Sequence, residues 1–146
     1  MANAIANSFK GMLLKGQITG LTDTFKIILM KTGFVFDVDA HHAYADVSAS
    51  QLANGLGYTT GGITLTGVAI TVADAGDSAT IAWNEAKWTA TGGSLVAVGA
   101  IIYDDSTATT GDDYTDAVVA FIDAGETLTA VDGTLLRIQN ISAVIS

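Results

Sequence analysis

Neither cysteine nor proline occurs among the 146 residues. Without cysteine there is no disulfide framework, no thiolate metal site and no cysteine nucleophile. At the usual ~5 % about seven prolines would be expected, so the turns must be built from Gly, Asn and Asp. The only two histidines, His41 and His42, are adjacent, which leaves little material for a Ser-His-Asp triad or a histidine-rich metal centre. Charge is scarce too: charged residues make up 14 % of the chain, against a usual ~25 %. Fifteen acidic groups against six basic ones give a net charge of −9 and a pI near 4.2. That balance argues against direct contact with nucleic acid or an anionic membrane, both of which ask for a basic footprint. No apolar run approaches the ~18 residues of a membrane helix; the longest, Leu95–Tyr103 and Ala117–Ile122, are strand-sized. The opening residues show no basic segment followed by an apolar one, so no signal peptide is predicted and an unexported, cytoplasmically made product is expected.

Sparse charge also bears on the surface. A compact body of 14.9 kDa exposes roughly 7,000 Å², which is about one charge per 330 Å². Protein neighbours are therefore expected to cover part of the outside. The charges are also unevenly placed. Residues 1–31 carry Lys10, Lys15, Lys26 and Lys31 against Asp23 alone, a net +3, while residues 32–146 carry a net −12. A basic head and an acidic body attract each other, within one subunit or between neighbours.

Ile5, Phe9, Met12 and Leu13 recur at helical spacing, which predicts an N-terminal helix over residues 1–16, with Asn3 as a cap and Gly16 as its stop. After it the period becomes two. Phe25–Lys31, Leu95–Tyr103 and Ala117–Ile122 read as buried strands, with Leu95–Tyr103 central because it is apolar on both faces. Residues 37–57 read as a surface excursion with a helical turn near 41–46. The apolar phase switches at Gly67 and again near Gln139-Asn140, which predicts bulges or bends there. Further strands are expected around 63–72, 79–83, 88–90, 128–131 and 134–146. The pattern predicts one mainly β domain over residues 1–146, an antiparallel β-sandwich or flattened barrel over 25–146 preceded by one N-terminal α-helix.

Four groups of residues could carry chemistry, each with a simpler structural reading. Asp37-x-Asp39-x-His41 has alternating metal-ligand types but lacks the glutamate that completes a calcium loop, and reads as a turn-capping loop. Asp104, Asp105, Asp112, Asp113 and Asp116 concentrate five carboxylates that calcium could bridge, although an acidic loop kept outside by the cost of burying charge explains them as well. Gly55-Leu-Gly-Tyr-Thr-Thr-Gly-Gly62 resembles a phosphate cradle without the P-loop lysine, and reads as turn chemistry. Trp83, Trp88 and Tyr103 could stack a sugar or a base, but aromatics on alternating strands belong more naturally to a core. No catalytic, cofactor-binding or metal-binding residue is assigned.

Several segments, taken in order, have a familiar wording: Met1-Ala-Asn-Ala-Ile5 with Ser8-Phe-Lys10, Lys26-Ile-Ile-Leu29, Phe36-Asp-Val-Asp-Ala-His41, Asp46-Val-Ser48, Gly57-Tyr-Thr-Thr-Gly-Gly62 and Val98-Gly-Ala-Ile-Ile-Tyr103. Over most of residues 1–125 the chain resembles a family of small tailed-bacteriophage virion proteins, and within it the capsid cement or decoration proteins. The resemblance implies a non-enzymatic protein on the outer surface of the head, bound to the major capsid protein and to copies of itself, often as a homotrimer. No cofactor, nucleic acid or membrane is implied. A tail or baseplate adaptor and a carbohydrate-binding β-sandwich are the alternatives. The expected contact surface is the helix stripe with its basic end, formed by Ile5, Phe9, Lys10, Met12, Leu13 and Lys15, meeting acidic loops of a neighbour.

Overall fold

The computed structural model describes residues 2–107 and 111–146. Its elements in chain order are β1 (Ala2–Ile5), α1 (Asn7–Lys15), β2 (Phe25–Met30), α2 (Tyr44–Val47), β3 (Ile63–Thr64), β4 (Ala69–Ala73), β5 (Ser78–Ala82), β6 (Ala86–Thr89), β7 (Leu95–Asp104), β8 (Ala117–Ala130), β9 (Leu135–Ile138) and β10 (Ser142–Ile145). All strand pairs are antiparallel. The architecture is mainly β and sandwich-like, with one helix of more than a turn among the described residues, near the N-terminus.

A five-stranded sheet runs β1-β8-β7-β2-β3, a three-stranded one β10-β5-β4, and β6 pairs with β9. β7 lies at the centre of the large sheet, as its two-sided apolar pattern requires. Ile101 and Ile102 point to opposite faces and both are buried, as are Ile27 and Ile28 of β2 beside them. The buried apolar residues of all three sheets and of α1 form one cluster. Phe25 packs edge-on against Trp83 with ring centroids 5.1 Å apart.

The N-terminus departs from the periodicity. Residues 2–5 are not the first turn of a helix; they form β1, with Asn3 opposite Ile122 and Ile5 opposite Ala120. Without β1, the outer edge of β8 would leave its ladder groups unpaired, and satisfying them outweighs the weak helical preference of four residues. The helix therefore starts at Asn7, with Ala6 at its N-cap and no side-chain cap. Asn3 instead donates from Nδ2 to the carbonyl of Ser142, 2.7 Å away, which ties β1 to the start of β10. The C-terminal stop is as expected: Gly16 is left-handed (φ 71°) and its N–H bonds back to Leu13 and Met12.

The two phase switches also resolve. Gly67 (φ 66°) lies in the bend where the chain leaves β3 for β4, and Asn140 (φ 54°) lies where it leaves β9 for β10. At both places the chain changes sheet; at Asn140 the buried face changes parity with it, from Leu136 and Ile138 to Ile141 and Ala143. Residues 117–122 and 128–131, read as separate strands, are joined in β8. Gly99 of β7 pairs with Asp123 and Ala97 with Leu128, so residues 124–127 bulge out beside Val98.

Candidate functional site

Most of the expected contact stripe is turned inward. Phe9 and Met12 are buried in the chain's own core. Leu13 is half-buried, and Ile5 lies half-buried on β1 rather than on the helix. The stripe faces the inside because a three-turn helix has no other stable place for its apolar side. Lys15 pairs with Asp113 of the same chain, and Lys26 pairs with Asp105 at 3.0 Å. The attraction between basic head and acidic body is thus met within the subunit by these two lysines. Lys10 is exposed on α1.

The acidic segment 104–116 is only partly the solvated loop expected. Its residues 108–110 lie outside the described residues. Lys15, and then Gln17, hold the Asp113 carboxyl below its ordinary range. Asp116, in the left-handed region at φ 50°, is raised by partial burial and by Asp105. Asp104 is not outside at all. It is the last residue of β7 and is fully buried. Its Oδ1 accepts the N–H of Ser106 at 2.8 Å, and among the described residues its Oδ2 receives no donor. Its carboxyl faces that of Asp23, so burial first, and the second carboxyl beside it, push Asp104 up to about 7. The sequence offered no signal for this, because a charged residue at a strand end normally points to water.

The other motifs take their structural readings. Asp37 accepts the N–H of Asp39 at 2.9 Å and Asp39 accepts the side-chain amide of Asn7. His41 packs against the rings of Phe34 and Phe36, each with centroids 5.5 Å from its own. The Asp46 carboxylate accepts the N–H groups of His42 and Ala43 at 2.9 Å each, capping α2. Among the described residues no three His, Asp or Glu side chains converge as metal ligands. Trp83, Trp88 and Tyr103 are all buried, which leaves no ring face open for a sugar to stack on.

The glycine run is a packing device. A Cβ on Gly57 would overlap the Thr89 carbonyl oxygen, and one on Gly62 the Ile27 carbonyl oxygen; both glycines also have positive φ. Between them Tyr58 donates to Gln51 Oε1 at 2.9 Å, which also accepts the Gly61 N–H at 2.9 Å. Gln51 Nε2 donates to the Tyr44 hydroxyl at 2.6 Å, and Tyr103 donates to the Gly61 carbonyl at 2.9 Å. Burial holds the Tyr58 and Tyr103 hydroxyls well above the ordinary phenol range. Gln51 thus ties the excursion 43–62 together, and Tyr103 of β7 fastens it to the large sheet, through groups that carry no charge.

What remains exposed is apolar in several places. Leu14 is 92 % exposed, Val35 79 %, Val72 72 % and Leu21 62 %. Val35 stands at an open groove of about 350 Å³ walled by Phe34, Phe36, Phe121 and Val98, with Asn3 and Asp123 at its rim. Ile70 and Val72 belong to β4, whose five residues are all exposed. An apolar groove of about 150 Å³ separates Ile70 and Ile81 from Phe9 and Leu13 of α1. Compared with protein families, with curated protein sequences and with solved structures, the chain matches none.

Proposed function

We propose that this chain is a non-enzymatic virion protein that works by surface contact, a capsid cement protein bound to the outside of a phage head shell. The observation that supports the reading is the set of large aliphatic side chains standing in solvent, Leu14, Val35, Val72 and Leu21, on an acidic body of 7074 Å² that carries 15 acidic and six basic groups. Side chains of this kind gain about 25 cal/mol for each Å² that a partner covers. A specific contact of ordinary size buries about 1,600 Å² in total. Repeated over a shell, contacts that are weak singly become strong together. The resemblance to decoration proteins over most of residues 1–125 supplies the identity of the partner, the major capsid protein.

The test uses heads assembled without this chain. Adding the purified protein should saturate the shell at a fixed copy number and raise its disruption temperature. Saturation without any gain in head stability, or antibody label along the tail alone, would remove the cement reading; the second result would favour a tail or baseplate adaptor.

A further inference from the structure

We infer that β4 is a self-pairing edge: two copies of this chain join β4 to β4, antiparallel, across a twofold axis at Thr71, making one six-stranded sheet from two three-stranded ones. β4 ends the order β10-β5-β4 and has β5 as its only partner among the described residues. Its outer edge lacks the usual guards against pairing, since Leu65–Ala73 contains no charged residue and no proline.

The strand reads Ala69-Ile70-Thr71-Val72-Ala73, nearly the same in both directions. Centred on Thr71, the antiparallel register sets Ala69 against Ala73, Ile70 against Val72, and Thr71 against Thr71 of the second copy. The Thr–Thr pair and the two β-branched Ile–Val pairs are favourable cross-strand matches and the Ala pairs are neutral, and the pattern repeats what β4 already does with β5, where Ile70 faces Ile81, Thr71 faces Thr80 and Val72 faces Ala79. Charge fits the same register. The nearest acids, Asp74 and Asp77, fall opposite Val68 and Leu65 of the second copy, so two bodies of net charge −9 meet where neither presents an anion to the other.

The apolar faces also align. Ile70 and Val72 share one face of the sheet with Ile81, Ala79 and Ile145. Pairing places the second copy's Val72 and Ile70 beside them, covering side chains that are 47 % and 72 % exposed at Ile70 and Val72. Two five-residue strands with this flank bury less than the ~1,200 Å² of a standard interface. The expected dimer is therefore weak, filled at high concentration or where a lattice holds copies side by side. A twofold contact uses this edge once in each chain, so it is separate from any threefold association. It is also a property of the free protein, and its test needs no shell.

The chain has no cysteine, so single-cysteine variants report the register directly. At the axis the two Thr71 Cα atoms would lie about 4.5–5.5 Å apart, within disulfide reach. The two Ala73 positions would be four residues out of register, roughly 13 Å apart along the strands, and out of reach. Mild oxidation should cross-link T71C at least tenfold faster than A73C. T71K sets two ammonium groups face to face and should weaken dimerisation at least tenfold in sedimentation equilibrium, with an unchanged circular dichroism spectrum because Thr71 is exposed. Equal cross-linking of T71C and A73C, a wild-type chain that stays monomeric to millimolar concentration, or dimerisation unaltered by T71K would each overturn the pairing. Loss of head binding by T71K without any T71C cross-link would also overturn it, and would assign the edge to a strand of the shell. Head stabilisation by a chain that never dimerises would leave the cement reading standing alone.

Discussion

The carboxyl of Asp104, at the end of β7, faces the carboxyl of Asp23, two residues ahead of β2, and among the described residues Asp104 Oδ2 finds no donor. Two acceptors in contact repel unless one of them carries a proton. Asp104 is paired in register with Phe25, so the proton helps hold the α1–β2 connection against the central strand.

This arrangement makes folding stability depend on pH. In the unfolded chain Asp104 titrates near its ordinary 3.8, and in the folded chain near 7. Between those values the folded state keeps a proton that the unfolded state has lost, so stability falls as pH rises from about 4 to about 7 and then levels off. D104N supplies a permanent donor in place of the proton. Thermal melts should show the variant several degrees more stable than wild type at pH 8 and close to it at pH 4. A wild-type melting temperature that rises steadily over pH 4–7, with no gain in the variant at pH 8, would contradict this.

The helix stripe is core rather than contact surface, and substitutions can separate the two. Phe9→Ala leaves a cavity beside α1 and should cost about 3–5 kcal/mol of stability. Leu14→Ala, on a side chain that is 92 % exposed, should change stability by no more than about 0.5 kcal/mol. Urea unfolding measures both. A Phe9 variant as stable as wild type would restore the stripe as a contact surface.

Gln51 holds four partners, the Tyr44 and Tyr58 hydroxyls, the Gly61 N–H and the Ser48 carbonyl. Gln51→Leu leaves the buried Tyr58 hydroxyl without its acceptor and should cost on the order of 2–3 kcal/mol. The loss should appear as faster amide exchange across residues 43–62 before the large sheet opens. Uniform protection in the variant would mean that the excursion is held by something else.

Gly62→Ala sets a methyl group against the Ile27 carbonyl in a backbone conformation that L-residues avoid. Because β2 is packed on both sides it has no room to retreat, and the expected cost is at least about 2 kcal/mol. Gly33→Ala, at positive φ but with open space around it, should cost roughly 1 kcal/mol, from the backbone alone. Equal losses at the two positions in denaturant titrations would argue against the close approach.

Elements with strong local pattern were legible in advance. The two-residue period located β2, the central β7 and the buried half of β8, and the aromatic residues Trp83, Trp88 and Tyr103 fell in the core. Gly16 marked the helix end, and parity switches marked the changes of sheet at Gly67 and Asn140. The extension of the N-terminal helix back over residues 1–6, the separation of β8 into two strands and the outward placement of Asp104 were misread. In each case the deciding group lies far along the chain: the edge of β8 for residues 2–5, the strand β7 that bridges the bulge at 124–127, and Asp23 for Asp104.

The sequence by itself determined the alternation of faces, the turn positions and the scarcity of charge, because these depend on neighbouring residues and on composition. Only the tertiary structure decided which faces are covered. It turned Phe9 and Met12 inward, engaged Lys15 and Lys26 with acids of the same chain, and left β4 at an open edge. Burial and pairing are set by what arrives from distant positions, and a local period carries no information about which strand stands at the end of a sheet.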